Sequence, residues 1–171
     1  MRARWLFLPV LGAPALHAPV LRFDLLRGLR RPIDGGSGLF GDNKTWRGAL
    51  VMTAGPLLAT VALHRFAWYR RRLPVEANPV LLGALLGVST VVGELPNSFL
   101  KRRLDIAPGA QRNAALTVFD QADFVLTAAV LLRPVYRMSA RETAEVFAIV
   151  AAVHVPINVI GRVLGVRSSA L

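Results

Sequence analysis

The chain alternates long uncharged apolar runs with short, strongly basic segments, and this alternation limits the folds open to it. The run 77–100 contains one charged residue, Glu94, and exceeds the roughly 20 helical residues needed to cross a bilayer. Residues 5–21 and 49–63 carry no Asp, Glu, Lys or Arg. Because backbone groups inside a bilayer must be satisfied internally, such runs predict transmembrane helices. The pattern therefore predicts an all-α, polytopic integral membrane protein.

The composition supports a membrane protein and points to its surroundings. Hydrophobic residues make up 54% of the chain, with a mean hydropathy of +0.47, which is more apolar than an ordinary soluble domain. Lysine and arginine number 21 against 10 acidic residues, a net charge of +11. A basic balance of this size fits nucleic acid or an anionic membrane surface. Since apolar runs separate the basic clusters, we expect membrane lipid as the partner and no nucleic acid.

We expect about five transmembrane helices within one membrane-embedded domain. The predicted helices and the domain cover residues 5–21, 48–66, 77–101, 120–136 and 143–162 of a single unit, 1–171. The first segment contains three prolines and is interpreted as a transmembrane or re-entrant helix that they interrupt. A cleaved signal peptide is the alternative, because residues 15–18 loosely resemble a cleavage site. The absence of cysteine excludes disulfides and thiolate metal sites.

Two glycines and a proline–glycine pair predict how these helices pack and end. Gly83 and Gly87 form a Gly-x₃-Gly pair, which permits close helix packing in a membrane. Pro96 removes one helical hydrogen bond next to Glu94 and is expected to bend the helix there. Residues 105–117, which include Pro108-Gly109, are predicted to form a loop before the fourth helix.

Polar residues concentrate between 93 and 124, where the apolar runs end. On a helix, the spacing i, i+3, i+4 and i+7 places four of them on one face: Glu94, Asn97, Ser98 and Lys101. Asp120 and Asp123, spaced i and i+3, likewise point the same way, and paired carboxylates suit Mg²⁺. The Lys-Arg-Arg sequence at 101–103 suits phosphate oxygens. Together these features predict metal-assisted phosphoryl or nucleotidyl transfer.

Each of these features also has a purely structural explanation. The basic residues 101–103 are typical of a flank that holds a helix end at the lipid surface. Asp120 and Asp123 would complement the helix dipole if they lay in the first turn of a helix. The combination favours function, because ionisable groups within a membrane protein usually mark a functional site.

A second polar segment precedes the second predicted helix. Gly41 favours a turn there, and either Asp42 or Asn43 is a candidate helix cap. Lys44 and Arg47 beside a helix N-terminus would form a phosphate cradle, although the spacing is not that of a P-loop. Juxtamembrane basic residues explain the same pattern. Near the C-terminus, three polar residues spaced by four share a helix face and fit either a ligand site or interhelical hydrogen bonds: His154, Asn158 and Arg162.

Four motifs resemble those of a known family. They are Asp42-Asn-Lys-Thr-Trp-Arg-Gly48, Ser98-Phe-Leu-Lys-Arg-Arg103, Pro108-Gly109 and Phe119-Asp-Gln-Ala-Asp-Phe-Val125. In order and spacing they resemble the CDP-archaeol synthase family, part of the wider group of membrane cytidylyltransferases that includes phosphatidate cytidylyltransferase. The resemblance extends from about residue 32 to the end of the chain. Glu94 and Asn43 depart from the family pattern, in which Asp and Gly are usual.

The resemblance implies a five-helix membrane enzyme that condenses CTP with a lipid phosphate, releasing pyrophosphate and using Mg²⁺. It implies catalytic roles for Lys101, Asp120 and Asp123. Asp120 and Asp123 would hold the metal, with Glu94 as an additional ligand. The residues implied to bind CTP or lipid phosphate are Asn43, Lys44, Thr45, Arg47, Ser98, Lys101 and Arg102.

The arginine distribution and the remaining alternatives complete these expectations. Basic residues are in mild excess in the loops that carry the motifs, which predicts a multi-pass protein of the cytoplasmic (inner) membrane with its active site facing the cytoplasm. Two other interpretations compete with the cytidylyltransferase. The first is a CDP-alcohol phosphotransferase, but the acidic pattern usual for that class of enzyme is missing from the sequence. A non-enzymatic basic membrane scaffold or small transporter would show no dependence on metal or CTP. Nothing in the sequence indicates an oligomeric state.

Overall fold

Helices form all the regular secondary structure in the part of the chain that the structure, a computed structural model, describes. Side chains are described for residues 4–73, 76–107, 123–149 and 152, and the backbone alone for 114–122. The single pairing of β type within these ranges is an isolated bridge between Pro32 and Thr45. The helices are α1 (Arg4–Phe7), α2 (Gly12–Arg22), α3 (Trp46–His64), α4 (Ala67–Arg70), α5 (Pro79–Arg103) and α6 (Ala114–Tyr136). The predicted all-α class is confirmed.

In the part of the chain that the structure describes, three helical stretches are long and apolar enough to cross a membrane. They are Arg4–Arg22, α3 and α5, with 19, 19 and 25 residues. At 1.5 Å per residue, 19 residues span about 28 Å, close to the hydrocarbon thickness of a bilayer. Only 22% of the most apolar window of α3 is buried inside the molecule, so its outer surface suits lipid. The protein is therefore membrane-embedded, and a total of five spans stays a prediction.

The proline-rich first segment is helical but interrupted. A 3₁₀ turn, Leu8–Leu11, separates α1 from α2 and has Pro9 near its start. Leu6 is fully buried and Phe7 is 5% exposed, and both belong to the main hydrophobic core. The segment is thus packed as part of the helical bundle.

Helices α3 and α5 pack closely because glycines remove side-chain bulk between them. A Cβ atom built on Gly83 would lie 2.7 Å from the Cα of Leu57, and one on Gly87 would lie 2.4 Å from the carbonyl oxygen of Thr53. The partner positions descend along α3 as those on α5 ascend, so the two helices run antiparallel. The predicted role of this glycine pair is confirmed.

Helix α6 begins earlier than the sequence predicted. Its first residue is Ala114, so the predicted loop 105–117 is wrong at its last four residues. Asp120 and Asp123 consequently occupy the seventh and tenth positions of the helix, beyond the first turn. Because the dipole effect falls off within the first turn, stabilisation of the helix end does not explain these acids.

The main core occupies the half of the bundle where α5 begins. Leu82 and Leu86 from α5 pack with Leu132 from α6 and with Tyr69 beyond the end of α3. Residues 140–149 are also helical and add Val146 to this core. The predicted fifth helix, 143–162, lies largely outside the described residues. The second half of α5, by contrast, carries the polar residues.

The connector between α2 and α3 folds back onto the start of α3. The backbone N–H of Ile33 donates to the carbonyl oxygen of Lys44 at 2.8 Å, and that of Trp46 donates to Arg31 at 3.1 Å. The carboxylate of Asp34 accepts backbone hydrogen bonds within the connector, which holds the pKa of this group below its usual value. These bonds fix the backbone next to Lys44.

The cap of α3 differs from the two predicted candidates, Asp42 and Asn43. Thr45 is the N-cap, with an extended backbone, and its hydroxyl oxygen accepts from the N–H of Gly48 at 3.1 Å. The cap lies directly before the first helical residue, two or three positions after the predicted ones. The short turn that begins at Gly41 therefore ends before the N-cap residue of α3.

Candidate active site

A lysine in the turn just before α3 pairs with a glutamate in the second half of α5. The Nζ atom of Lys44 donates to Oε2 of Glu94, although the two residues are 50 positions apart in sequence. Their side chains are 20% and 36% exposed. The backbone of Lys44 is fixed on both sides, because its N–H donates to Gly41 and its carbonyl oxygen accepts from Ile33. The fold thus presents one anchored cation to one partly exposed carboxylate.

A second polar pair lies where α5 crosses α6. A Cβ atom on Gly93 would fall 2.6 Å from the Cα of Phe124, so only glycine allows this approach. The approach brings Nδ2 of Asn97 within 3.0 Å of Oδ2 of Asp123. The other carboxylate oxygen of Asp123 accepts from the backbone N–H of Phe124. Asn97 and Asp123 are 6% and 8% exposed, which makes this a buried, oriented carboxylate.

The two pairs form one electrostatic unit. Glu94 precedes Asn97 by three residues on α5, so both project from the same side of the helix. The charges of Glu94 and Lys44 both act on the carboxylate of Asp123. The bundle therefore brings together groups from the turn before α3, the second half of α5 and α6: Lys44, Glu94, Asn97 and Asp123.

The donor set of this unit fits magnesium. The side chains that the structure describes contain no group of three His, Cys, Asp or Glu around a single point. Two carboxylates, Glu94 and Asp123, lie near enough for the charge of one to act on the other. Mg²⁺ in proteins commonly uses one or two carboxylates and completes its shell with water and substrate phosphate. Asp120 lies one turn before Asp123 in α6, and its side chain falls outside the described residues.

Arg47, a predicted phosphate ligand, is held by an aspartate that the sequence analysis did not single out. Its Nη1 atom donates to Oδ1 of Asp24 at 2.8 Å, and the arginine side chain is only 11% exposed. Arg27 and Arg30 also reach the Asp24 carboxylate, at 3.0 and 3.3 Å. The hydrogen bond from Arg47, together with the charges of Arg30 and Arg27, holds the pKa of Asp24 below its usual value.

The sequence offered two signals for Asp24. It is a single acid in an otherwise basic stretch, and it lies directly after an apolar segment. Its backbone adopts a positive φ of 47°, a conformation that aspartate tolerates better than most residues. Its main partner, however, is 23 residues away.

The remaining predicted phosphate ligands follow along α5 and the turn before α3. Ser98 is 9% exposed and adjacent to Asn97. Arg102 is partly buried, and its Nε atom has no hydrogen-bond partner among the described residues. With Arg103 it lines a small cleft of about 130 Å³ beside residues 37–39. Lys101 is partly buried on the same helix. Asn43 is exposed in the turn before Lys44. The C-terminal set His154, Asn158 and Arg162 lies outside the described residues.

Comparison with known proteins identifies the family. The profile of the CarS-like CDP-archaeol synthases matches residues 5–170. The chain belongs to the CDP-archaeol synthase family. Among curated relatives, the CDP-archaeol synthase of Thermococcus gammatolerans is 31% identical over 97% of this chain and 93% of its own length. That of Aeropyrum pernix is 34% identical over 92% of this chain and 87% of its own.

Other relatives of the CDP-archaeol synthase family match over a shorter stretch. The Halobacterium salinarum protein is 41% identical over 63% of this chain, and the match spans 61% of the length of that relative. A solved structure, described as an intramembrane enzyme for archaeal membrane lipids biosynthesis, superposes with a TM-score of 0.66 at 28% identity and covers 91% of both chains. The family resemblance in the four sequence motifs is thus confirmed, together with a membrane-embedded fold.

Proposed function

We propose that this protein transfers the cytidylyl group of CTP to a lipid phosphate of the archaeol-phosphate type, giving a CDP-lipid and pyrophosphate. Family membership and the names of its relatives support the reaction. The observation that carries the proposal is the union of Lys44, Glu94, Asn97 and Asp123 in the membrane-embedded bundle. A scaffold has no use for so many ionisable groups inside a bundle, where they are costly.

In this reaction an oxygen of the lipid phosphate attacks the α-phosphorus of CTP in line. The new phosphorus–oxygen bond forms as the bond between the α-phosphorus and the oxygen bridging to the β-phosphate breaks, and pyrophosphate leaves with that electron pair. A phosphate monoester is already nucleophilic near neutral pH, so the protein needs no strong general base. Positioning and electrostatics therefore provide most of the rate enhancement.

Magnesium fits the acidic part of the site. Asp123 and Glu94 would hold the metal together with Asp120. The charge of Glu94 acts on the carboxylate of Asp123, and this supports the assignment. When bound, Mg²⁺ supplies positive charge that offsets the negative charge on the α- and β-phosphates. Asn97 holds the Asp123 carboxylate by a hydrogen bond and so keeps it in one orientation.

The basic residues bind phosphate in this scheme. Lys44 exchanges its Glu94 partner for a phosphate oxygen, and Lys101, the catalytic cation, steadies the departing pyrophosphate. Arg102, whose buried Nε atom has no partner among the described residues, offers a further donor beside residues 37–39. Hydrogen-bond donors complete the set of phosphate ligands: Asn43, Thr45, Arg47 and Ser98.

The active site faces the cytoplasm of the inner membrane in this proposal, since CTP is made there and the motif-bearing loops are the more basic. The chain has no cysteine, so single cysteines report sidedness cleanly. Ser37→Cys lies at the active-site end and Ala67→Cys at the other end, and both positions are exposed. Labelling of Ser37→Cys in intact cells by a membrane-impermeant maleimide would contradict the proposed orientation. Labelling of Ala67→Cys alone supports it.

The deciding experiment measures pyrophosphate release by the purified protein in detergent with CTP and Mg²⁺. The acceptors are phosphatidic acid, an isoprenoid glycerol-ether phosphate and a polyprenyl phosphate. We expect release with the ether phosphate and its loss on adding chelator. Release that survives the chelator would remove magnesium from the proposal. No release with any acceptor, and no protection against thermal unfolding by CTP, would leave the scaffold interpretation in its place.

A further inference from the structure

A cluster of aromatic and arginine side chains covers the end of the bundle opposite the candidate active site. We call it the arginine–aromatic cap, and it comprises Arg4, Trp5, Arg65, Phe66, Trp68, Tyr69, Arg70, Arg71 and Arg72. The rings of Trp5 and Trp68 meet edge to face at 6.1 Å, and those of Trp68 and Tyr69 at 5.8 Å. Tyr69 is fully buried, and its hydroxyl donates to the carbonyl oxygen of Trp5 at 3.0 Å. The cap is therefore an ordered cluster that packs against the hydrophobic core through Tyr69.

One arginine of the cap is held between two tryptophans. The guanidinium carbon of Arg72 lies 5.1 Å from the ring centre of Trp5 and 5.4 Å from that of Trp68. Its Nη1 atom donates to the carbonyl oxygen of Trp68 at 3.1 Å. Arg4 stacks on Trp5 at 5.4 Å. Stacking uses the faces of a guanidinium and leaves N–H groups at its edge to donate elsewhere.

The positive charge of the cap has no partner of opposite sign among the described side chains. Four arginines lie between 65 and 72, and no acid lies among them. Within the described part of the chain, none of these arginines forms an ion pair with a carboxylate. Arg65, Arg70, Arg71 and Arg72 are all exposed. Such a group of exposed guanidiniums is complementary to an anion from outside the protein.

The position of the cap indicates the source of that anion. The cap follows the C-terminal end of α3, whereas Lys44 precedes its N-terminal end, so about 28 Å of helix separates them. This distance matches the hydrocarbon thickness of a bilayer. Phe66 and Trp68, 54% and 41% exposed, suit the headgroup level, where tryptophan concentrates. The arginines then lie among lipid phosphates of the leaflet opposite the candidate site.

We propose that the arginine–aromatic cap is a binding site for the phosphate headgroup of an anionic phospholipid in that leaflet. Arg72, fixed by the two tryptophans, offers a planar pair of donors to phosphate oxygens, and Arg65, Arg70 and Arg71 add charge around it. The cap shares no residue with the candidate active site, and lipid binding at the cap needs no cytidylyl transfer. The site therefore stands or falls independently of the proposed function.

Tryptophan fluorescence tests the site directly. The chain has three tryptophans, and Trp46→Phe leaves only the two in the cap. This variant is reconstituted in phosphatidylcholine vesicles with a minor fraction of phosphatidylglycerol, and either lipid is brominated at equal mole fraction. We expect brominated phosphatidylglycerol to quench at least about twofold more than brominated phosphatidylcholine. Equal quenching by the two lipids would overturn the proposal.

One variant and one control separate a site from diffuse attraction. Arg72→Lys in the Trp46→Phe background keeps the charge but loses the planar, stacked donor, and we expect it to abolish most of the preference. A preference fully retained in Arg72→Lys would replace the site by nonspecific attraction to a charged surface. Arg65→Lys/Arg71→Lys in the same background is the control, because it also keeps the charge but leaves the stacked arginine in place, and we expect it to retain the preference. An equal loss in this control would likewise contradict a site centred on Arg72.

Discussion

The two ends of α3 both carry arginine clusters, and the clusters differ in what balances their charge. At the N-terminal end, Arg27, Arg30 and Arg47 converge on the single carboxylate of Asp24. At the C-terminal end, Arg72 stacks between two indole rings and no described acid pairs with the cap arginines. The first cluster is partly balanced within the protein, by one carboxylate shared among three arginines. The second keeps its charge available to the surroundings.

The same contrast separates the two halves of the bundle. The half with the candidate active site contains internally paired groups, Lys44 with Glu94 and Asn97 with Asp123. The half with the cap contains the hydrophobic core, on which Tyr69 rests. Pairing inside the bundle avoids the cost of isolated charges in a low-dielectric region. In the proposed reaction a substrate phosphate at the active-site end would therefore replace an existing partner, whereas a lipid phosphate at the proposed cap site would replace only water.

The largest effect should follow from removing the buried carboxylate of the active-site half. Asp123→Asn keeps the size of the side chain but removes its charge, and we expect pyrophosphate release to fall by about 100-fold or more. Asp105→Asn is the matched control, since Asp105 is exposed and its positive φ also suits asparagine. Normal release by Asp123→Asn protein that inserts and stays monodisperse in detergent would remove this residue from the site.

The close approach that assembles the active-site half is tested by Gly93→Ala. The added Cβ would lie 2.6 Å from a backbone atom of α6, so the helices must separate. We expect the free energy of unfolding to fall by about 1–3 kcal/mol, measured as a lower Tm in detergent. Activity should fall as well, because the bond between Asn97 and Asp123 depends on that approach. Gly28→Ala is the control, because no atom lies within 4 Å of its added Cβ; equal Tm values for the two variants would contradict the argument.

The arginine cluster around Asp24 predicts a pH dependence of stability. The pKa of Asp24 is lowered in the folded protein, so its contribution to stability is present above the unfolded pKa and is lost as the pH falls through the folded pKa. We expect Asp24→Asn to lower the Tm by a constant amount above about pH 5. The gap from the parent protein should close as the pH falls below the ordinary pKa of 3.8. A gap that persists unchanged in acid would show that the charge of Asp24 is not what holds the cluster.

The smallest effect belongs to the two cap arginines whose side chains make no hydrogen bond or ring contact with the described residues. Arg65→Gln/Arg71→Gln should change the free energy of unfolding in detergent by less than about 0.5 kcal/mol. Arg47→Gln, which leaves Asp24 without its shortest partner, should lower the Tm more. Tm measurements on the two variants side by side test the contrast between the clusters. A larger loss of Tm in Arg65→Gln/Arg71→Gln than in Arg47→Gln would contradict the contrast between the two arginine clusters.

Local patterns in the sequence were enough to predict the helical membrane class and the close packing at Gly83 and Gly87. Uncharged runs of bilayer length and a four-residue glycine spacing are properties of neighbouring residues, and they keep their meaning whatever the rest of the chain does. The motifs also predicted the family to which the chain belongs. The catalytic and ligand roles assigned to Lys101, Asp120 and Asp123 stay predictions.

Only the tertiary structure decided which polar groups meet. Lys44 and Glu94 are 50 residues apart and Arg47 and Asp24 are 23 apart, and no spacing rule reaches across such separations. The N-cap of α3 is Thr45, between two residues whose backbone groups are bonded to the preceding connector, and α6 starts at Ala114. A sequence specifies the apolar face of a helix through its own periodicity. The partner of a charged side chain is set by the packing of helices that the chain reaches much later.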